Sequence, residues 1–360
     1  MNLHLDKDAF RVLIEDIHIK TGYRTDVLEK DYYVALILRE LADKQSAGLP
    51  AYFKGGTALY KALKTTNRFS EDIDLSVDTR ECSRTQNDKR LEGATKKYAA
   101  LQRDSSMGKT NRSEVISVYR YDPLTDYDAD DALQRFGLLK IEATSFTISE
   151  PVESLEIAPL LYDLATEEQK TILETQYDVR PFSVMTITME RIFIDKLFAA
   201  ESYVRKSEDS HRAFEAAKHI YDLAVIEQHP KIVALVSDTQ KMKQLLDIRM
   251  TEEQERLDGI PGVLPNEFTF FIDAANCAAV RTAYEIMQRQ YVLRASDRIT
   301  FDAACESLNR LQGSLLQNMA WKNYAPEKQS VLSKLQDAKI QLNTVTASKS
   351  LKKNRDDLER

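Results

Sequence analysis

Asp72 and Asp74 flank an isoleucine in the run Asp72-Ile73-Asp74-Leu75-Ser76-Val77, where polar and apolar residues alternate. This period of two is that of a half-buried strand, so both carboxylates leave one face while Ile73, Leu75 and Val77 anchor the other. Their backbones then lie about 7 Å apart. Hard oxygen ligands so placed suit Mg²⁺ or Mn²⁺, with two ions about 3.5–4 Å apart stabilising the attacking and leaving oxygens of an in-line displacement at phosphorus. Taken alone, the same pattern also describes a solvated strand face.

Upstream, Lys54-Gly55-Gly56-Thr57 joins a short apolar run, Ala51-Tyr52-Phe53, to a helix-like stretch ending near Leu63. A glycine turn before a helix offers free backbone N–H groups, a hydroxyl and the helix dipole to a phosphate chain. Gly55 and Gly56 permit close backbone approach, Thr57 is placed to donate to a phosphate oxygen, and Lys61, one turn later, adds charge. A plain strand-to-helix turn also accounts for Gly-Gly, and the pattern is not that of a P-loop.

The elements that must hold these groups follow from periodicity. Apolar residues at helical spacing from Lys7 to about Leu41, broken at Thr21-Gly22, predict two helices. Strands are predicted around Ala51–Phe53, Ile73–Val77, Glu114–Tyr121 and Gly137–Thr147, with a polar segment from Thr79 to Arg112 between the second and third. Beyond Met185 the pattern is helical, with one core stripe at Met189, Ile192, Phe193, Leu197 and Ala200 and another at Leu308, Leu311, Leu315, Leu316 and Met319. Lys196 shares the first stripe, where a cation is costly unless it meets an anion such as a triphosphate; snorkelling at the stripe's edge is the other reading. Gly259-Ile260-Pro261-Gly262 is the strongest internal breaker.

With 50 Lys and Arg against 57 Asp and Glu among 360 residues, the net charge of −7 excludes a uniformly basic nucleic-acid coat, and 43% hydrophobic residues argue against a disordered chain. Residues 84–112 run the other way, with eight basic against three acidic residues, and predict a local patch for a polyanion near the acidic strand. Cys82, Cys277 and Cys305 are odd in number and widely spaced, and the five histidines lack HExxH-type spacing, so neither a disulfide framework nor a zinc site is expected. No apolar run approaches the ~20 residues of a membrane span, and Met1–Asp8 lacks the character of a secretory signal, so a cytoplasmic location without membrane contact is expected.

The runs Phe53-Lys54-Gly55-Gly56-Thr57-Ala58-Leu59-Tyr60-Lys61 and Arg68-Phe69-Ser70-Glu71-Asp72-Ile73-Asp74-Leu75 resemble the signature of the AbiEii/AbiGii toxin nucleotidyltransferases, a branch of the DNA polymerase β-like superfamily. Its pattern is hG[GS], a spacer, Dh[DE]h and a later h[DE]h strand, for which Ile141-Glu142-Ala143 is the natural candidate. Here the spacer is fourteen residues, longer than usual, and Thr57 replaces the commoner serine. Thr188–Leu197 and His219–Leu223 resemble two later segments of the family, so Lys196 and Asp222 match its remaining active-site positions. Without the resemblance Asp222 reads as a solvated helix residue; with it, Asp222 orients Lys196 or helps deprotonate the attacking hydroxyl. Leu28–Tyr33 resembles an EKDY-like helix preceding the core, to which no chemistry is assigned.

What the resemblance implies is an α+β fold: a polymerase β-like mixed sheet flanked by helices, with a helical C-terminal domain. The expected division is N-terminal helices at 1–49, the nucleotidyltransferase core at 50–184, a helical domain carrying Lys196 and Asp222 at 185–348, and a charged tail at 349–360. It further implies transfer of a nucleoside monophosphate from an NTP, with Asp72, Asp74 and Glu142 as metal ligands and Gly55, Gly56, Thr57 and Lys61 cradling phosphates. The implied acceptor is the 3′ end of tRNA, and the implied partner is a cognate antitoxin. A protein or small-molecule acceptor is the alternative, as is a nucleotide- or antitoxin-binding module without turnover.

Overall fold

A computed structural model describes residues 2–64, 68–70, 72–125, 137–254 and 259–325, so the tail at 349–360 and positions 326–348 lie outside the described residues. In chain order the elements are α1 (Lys7–Thr21), α2 (Thr25–Ser46), β1 (Ala51–Lys54), α3 (Gly55–Leu63), β2 (Ile73–Val77), α4 (Arg84–Thr95), β3 (Gln102–Thr110), β4 (Glu114–Arg120), β5 (Leu138–Thr144), β6 (Val152–Ile157), α5 (Leu160–Asp163), α6 (Glu167–Tyr177) and β7 (Phe182–Ile187). There follow α7 (Met189–Arg205), α8 (Ser210–Ile226), α9 (Pro230–Ser237), α10 (Thr239–Glu253), α11 (Phe270–Asn276), α12 (Ala278–Tyr291), α13 (Phe301–Leu315) and α14 (Met319–Lys322). The seven strands form one mixed sheet in the order β3-β4-β5-β2-β1-β7-β6, flanked by helices and followed by the helical C-terminal region. The described residues up to Tyr324 pack as one unit.

The two predicted N-terminal helices are α1 and α2, separated where Gly22 takes φ +75° to cap α1. In the segment from Thr79 to Arg112, expected to be merely polar, a helix and a strand form. Ser83 and Gln86 build a reciprocal capping box that starts α4, and β3 is an exposed edge strand that, among the described residues, pairs with β4 alone. Helical structure was predicted to begin near Met185, but that residue lies inside β7, and α7 begins at Met189 after the Thr188 hydroxyl accepts from the Arg191 N–H. The first C-terminal stripe is buried throughout. The second fails at its end: α13 stops at Leu315, and beyond it Leu316 is 44% and Met319 57% exposed.

Alternation gives the sheet two distinct faces. Phe53, Leu75 and Ala143 lie side by side in register on the apolar face, and Lys54, Asp74 and Glu142 lie side by side on the other. On the apolar face Tyr119, in register with Leu139, donates from its hydroxyl to the Thr95 carbonyl at the end of α4 (2.8 Å). Thus α4, with its lysines and arginines, packs behind the sheet. This corrects the expectation of a basic patch beside the carboxylates: its helical part occupies the opposite face.

Candidate active site

The polar face of β1, β2 and β5 meets α7 and α8 across a cleft of ≈ 320 Å³ lined by Gly55, Gly56, Asp72, Asp74, Glu142, Lys196 and Asp222, among others. Seven of the nine predicted site residues are therefore in one place. The helices contribute through their periodicity: Ile192, Asp195, Lys196, Ala199 and Tyr203 share a face of α7, and Glu215, Lys218, His219 and Asp222 share a face of α8.

The double glycine is required by its neighbours. Gly55 has φ +80°, and a Cβ there would stand 2.3 Å from the Asp74 carboxylate; one on Gly56 would stand 2.9 Å from both Arg68 Nη2 and Ser70 Oγ. Glycine at these positions lets the turn close over the acidic strand. The following residues go elsewhere. Thr57, predicted to face phosphate, is 1% exposed, and its Oγ1 donates to the Asp72 carbonyl (2.6 Å) and accepts from the Ser70 hydroxyl (3.0 Å). Lys61, predicted to add charge to the site, is buried behind it, where Nζ donates to Asp31 Oδ1 (2.6 Å) and the Ala158 carbonyl (3.1 Å). Asp31, within the EKDY-like segment, also accepts from the Leu160 N–H (2.6 Å). A buried ammonium requires such a partner, so the Lys61–Asp31 pair joins α3 to α2 and does not meet a ligand.

Thr57 thus acts as a strut that fixes the backbone of Asp72. Thr57→Val, similar in shape but without the donor, should cost about 1–2 kcal/mol by leaving the Asp72 carbonyl without that donor. NTP affinity should stay within about twofold of wild type, a difference of about 0.4 kcal/mol, because Thr57 does not line the cleft. Thermal melting and equilibrium nucleotide binding check the two parts separately.

Several cleft residues had escaped the sequence reading. Arg68 donates from Nε and Nη2 to the two oxygens of Asp222, both at 2.8 Å, while Lys196 Nζ reaches Asp222 Oδ2 at 2.5 Å. Asp222 is therefore a buried carboxylate between two cations and not a solvated helix residue. Burial by itself would raise its pKa, but Arg68 and Lys196 overcome that and hold it well below the usual carboxylate range. The Arg68 segment is in turn pinned by Phe69, whose N–H donates to the Tyr291 carbonyl at the end of α12 (2.6 Å). Lys54 Nζ, also in the cleft, donates to Thr144 Oγ1 (3.1 Å). Asp195 and Arg249, which also line the cleft, meet at 2.9 Å (Arg249 Nη1 to Asp195 Oδ1), beside the buried pair Arg191 Nη2–Glu252 Oε2 (2.6 Å).

Lys140 Nζ lies 2.9 Å from Asp72 Oδ2 and 3.4 Å from Glu142 Oε2, so a protein cation bridges two of the three acids. Burial, reinforced by Glu142 and Asp72, pushes the Asp74 carboxyl up to about 7. Among the described residues no three His, Cys, Asp or Glu side chains converge as a ready-made metal cage. Asp72, Asp74 and Glu142 nevertheless line one cleft as hard oxygen donors of the kind that bind divalent cations.

A sequence model described as "Nucleotidyl transferase AbiEii toxin, Type IV TA system" matches residues 36–307. The chain belongs to the AbiEii nucleotidyltransferase toxin family. Membership carries a nucleotidyltransferase activity and a place in a type IV toxin–antitoxin system, and with them an NTP substrate and an antitoxin partner. Among solved structures, this AbiEii chain is similar to MenT4, nucleotidyltransferase toxin Rv2826c from Mycobacterium tuberculosis H37Rv, at 16% identity and TM-score 0.44 over 85% of this chain and 98% of that one. It is also similar to JHP933 from Helicobacter pylori, at 16% identity and TM-score 0.40 over 90% of this chain and 99% of that one. No curated protein matches the sequence. Among the described residues of this AbiEii protein, no helix is long and apolar enough to cross a membrane.

Proposed function

We propose that the protein is a metal-dependent toxin that transfers a nucleoside monophosphate from an NTP to the 3′ end of tRNA in the cytoplasm, blocking translation until its cognate antitoxin binds. The observation that carries the reading is the cleft itself, where three carboxylates, a glycine turn and two buried cations face one another. The tRNA acceptor rests on the resemblance to the family, and phage defence is the biological setting that goes with it.

In the reaction, an acceptor hydroxyl oxygen bonds to the α-phosphorus, the bond from that phosphorus to the bridging oxygen of pyrophosphate breaks, and the hydroxyl proton passes to a carboxylate. Asp72, Asp74 and Glu142 would hold Mg²⁺ or Mn²⁺, which supplies charge neutralisation at the attacking and leaving oxygens. Gly55 and Gly56, Arg68 and Lys196 bind and orient the triphosphate as N–H and cationic donors. Asp222 is a positioning residue: tied to Arg68 and Lys196 with a depressed pKa, it is a weak base but a firm anchor for both cations. A dication held by these acids would compete with Lys140, whose Nζ lies 2.9 Å from Asp72 and 3.4 Å from Glu142.

The test is incubation with total RNA and each of the four labelled NTPs, wild type beside Asp72→Asn. Label in tRNA from one NTP, lost in the variant, is the expected result. Label in the protein or in a small molecule would replace the acceptor, and no label in any fraction would leave the binding-module alternative.

A further inference from the structure

Beyond the carboxylates and the Asp222 cluster, the cleft continues to an aromatic end. Tyr203 and His219 line it, their rings stacked with centroids 5.5 Å apart and planes within 8°. The Arg212 guanidinium lies 5.5 Å from the Tyr203 centroid. Glu215 and Lys218, paired at 2.7 Å, line the same region. Tyr203 is seven residues beyond Lys196 on α7, about 10 Å along the helix axis, which is comparable with the reach of a nucleoside from its phosphate to its base. His219 stands one turn before Asp222 on α8.

Nothing in the transfer chemistry calls for this pair. We infer that Tyr203 and His219 form a nucleobase subsite, on which the base of the bound NTP stacks while its phosphates lie between the glycine turn, Arg68 and Lys196. The inference rests on the reading of the cleft as an NTP site and deepens it. The stacked rings present a flat aromatic surface to the cleft, with the Arg212 guanidinium over the Tyr203 ring, and such a surface favours a flat heterocycle over an aliphatic group. The His219 Nδ1 is buried and has no hydrogen-bond partner, a costly state for a polar atom that a base edge or an ordered water would relieve. Burial, with help from Lys196, lowers the His219 pKa to about 3, so at neutral pH the ring has one N–H and one lone pair and adds no charge. Stacking of this kind tolerates any base; preference among the four comes from the polar atoms of His219, Glu215 and Lys218.

Equilibrium binding of non-hydrolysable NTPs and of inorganic tripolyphosphate, in magnesium-containing buffer, separates base from phosphate recognition. Tyr203→Leu, which keeps apolar bulk without a π face, should weaken NTP binding about tenfold and leave tripolyphosphate binding unchanged, and Tyr203→Phe should restore wild-type affinity. His219→Phe, retaining the stack, should alter the ranking of the four NTPs. Wild-type NTP affinity in Tyr203→Leu, or equal affinity of the wild type for NTP and tripolyphosphate, overturns the subsite while leaving the triphosphate site intact. Failure of the wild type to bind either ligand overturns the NTP reading and the subsite with it.

Discussion

Asp74→Asn is expected to abolish nucleotide transfer and yet to melt above the wild type at pH 8. The carboxyl it replaces is held between Lys54 and Glu142 in the sheet, beneath the Gly55 turn. Its pKa is pushed up to about 7 by burial and by Glu142 and Asp72, so at pH 8 the folded state bears a charge that the unfolded chain carries more easily. An amide of nearly the same shape removes that repulsion, and a stability gain on the order of 1 kcal/mol follows after allowance for solvent screening. Loss of a ligand to the proposed metal ion removes several kcal/mol of transition-state stabilisation, which at about 1.4 kcal/mol per tenfold is a fall of about 10³-fold or more. Added Mg²⁺ should stabilise the wild type by mass action and the variant much less. Calorimetry with and without Mg²⁺, beside the labelled-NTP assay, reads all three effects. A variant less stable than wild type, or one that retains transfer, would show that Asp74 is an ordinary structural carboxylate.

The same physics explains which parts of the site were legible in the sequence. Asp74 stands on a strand, with Asp72 immediately before it, whose alternation is visible in a run of five residues, so their shared face follows from local pattern; Glu142, on a strand of seven residues, was reached through the family's h[DE]h pattern. Lys196 was visible as a cation inside an apolar helical stripe. Arg68 and Lys140 carried no such local sign. Arg68 gains its meaning from Asp222, 154 residues away, and Lys140 from Asp72 across a parallel strand pair that sequence spacing does not encode. Thr57 and Lys61 misled because polar residues one turn apart after a glycine pair look like phosphate donors; they share the face of α3 that turns inward, where the Asp72 carbonyl and Asp31 satisfy them. The helix α4 has a readable capping box but buries only Leu91, Ala94 and Thr95, too few to set a periodicity, and β3 is exposed along nearly its whole length. The boundary at Met185 failed because a short apolar run such as Val184–Ile187 fits a strand and a helix equally.

Asp222→Ala should be the most damaging single change at the cleft, lowering both stability and transfer. It leaves Arg68 and Lys196, both buried, facing each other without their shared anion. Breaking a buried ion pair from one side costs about 3–5 kcal/mol, a large fraction of a typical domain's stability. The chain then also lacks the anchor that aims two cations at the proposed triphosphate site. Removing all three charges in Arg68→Met, Lys196→Met, Asp222→Leu should return most of the stability, since a well-packed apolar cluster replaces a desolvated ionic one, but none of the transfer. Acid gives an independent readout. Because the folded pKa of Asp222 is depressed, its contribution is complete above the unfolded value of about 3.9 and fades as pH falls from there toward the folded value. Chemical denaturation from pH 7 to pH 3 should therefore show a constant gap between wild type and Asp222→Ala down to about pH 4, then a narrowing one. A gap that is absent at pH 7, or that widens in acid, would mean that Asp222 does not bind Arg68 and Lys196 together as a charged carboxylate in the folded protein.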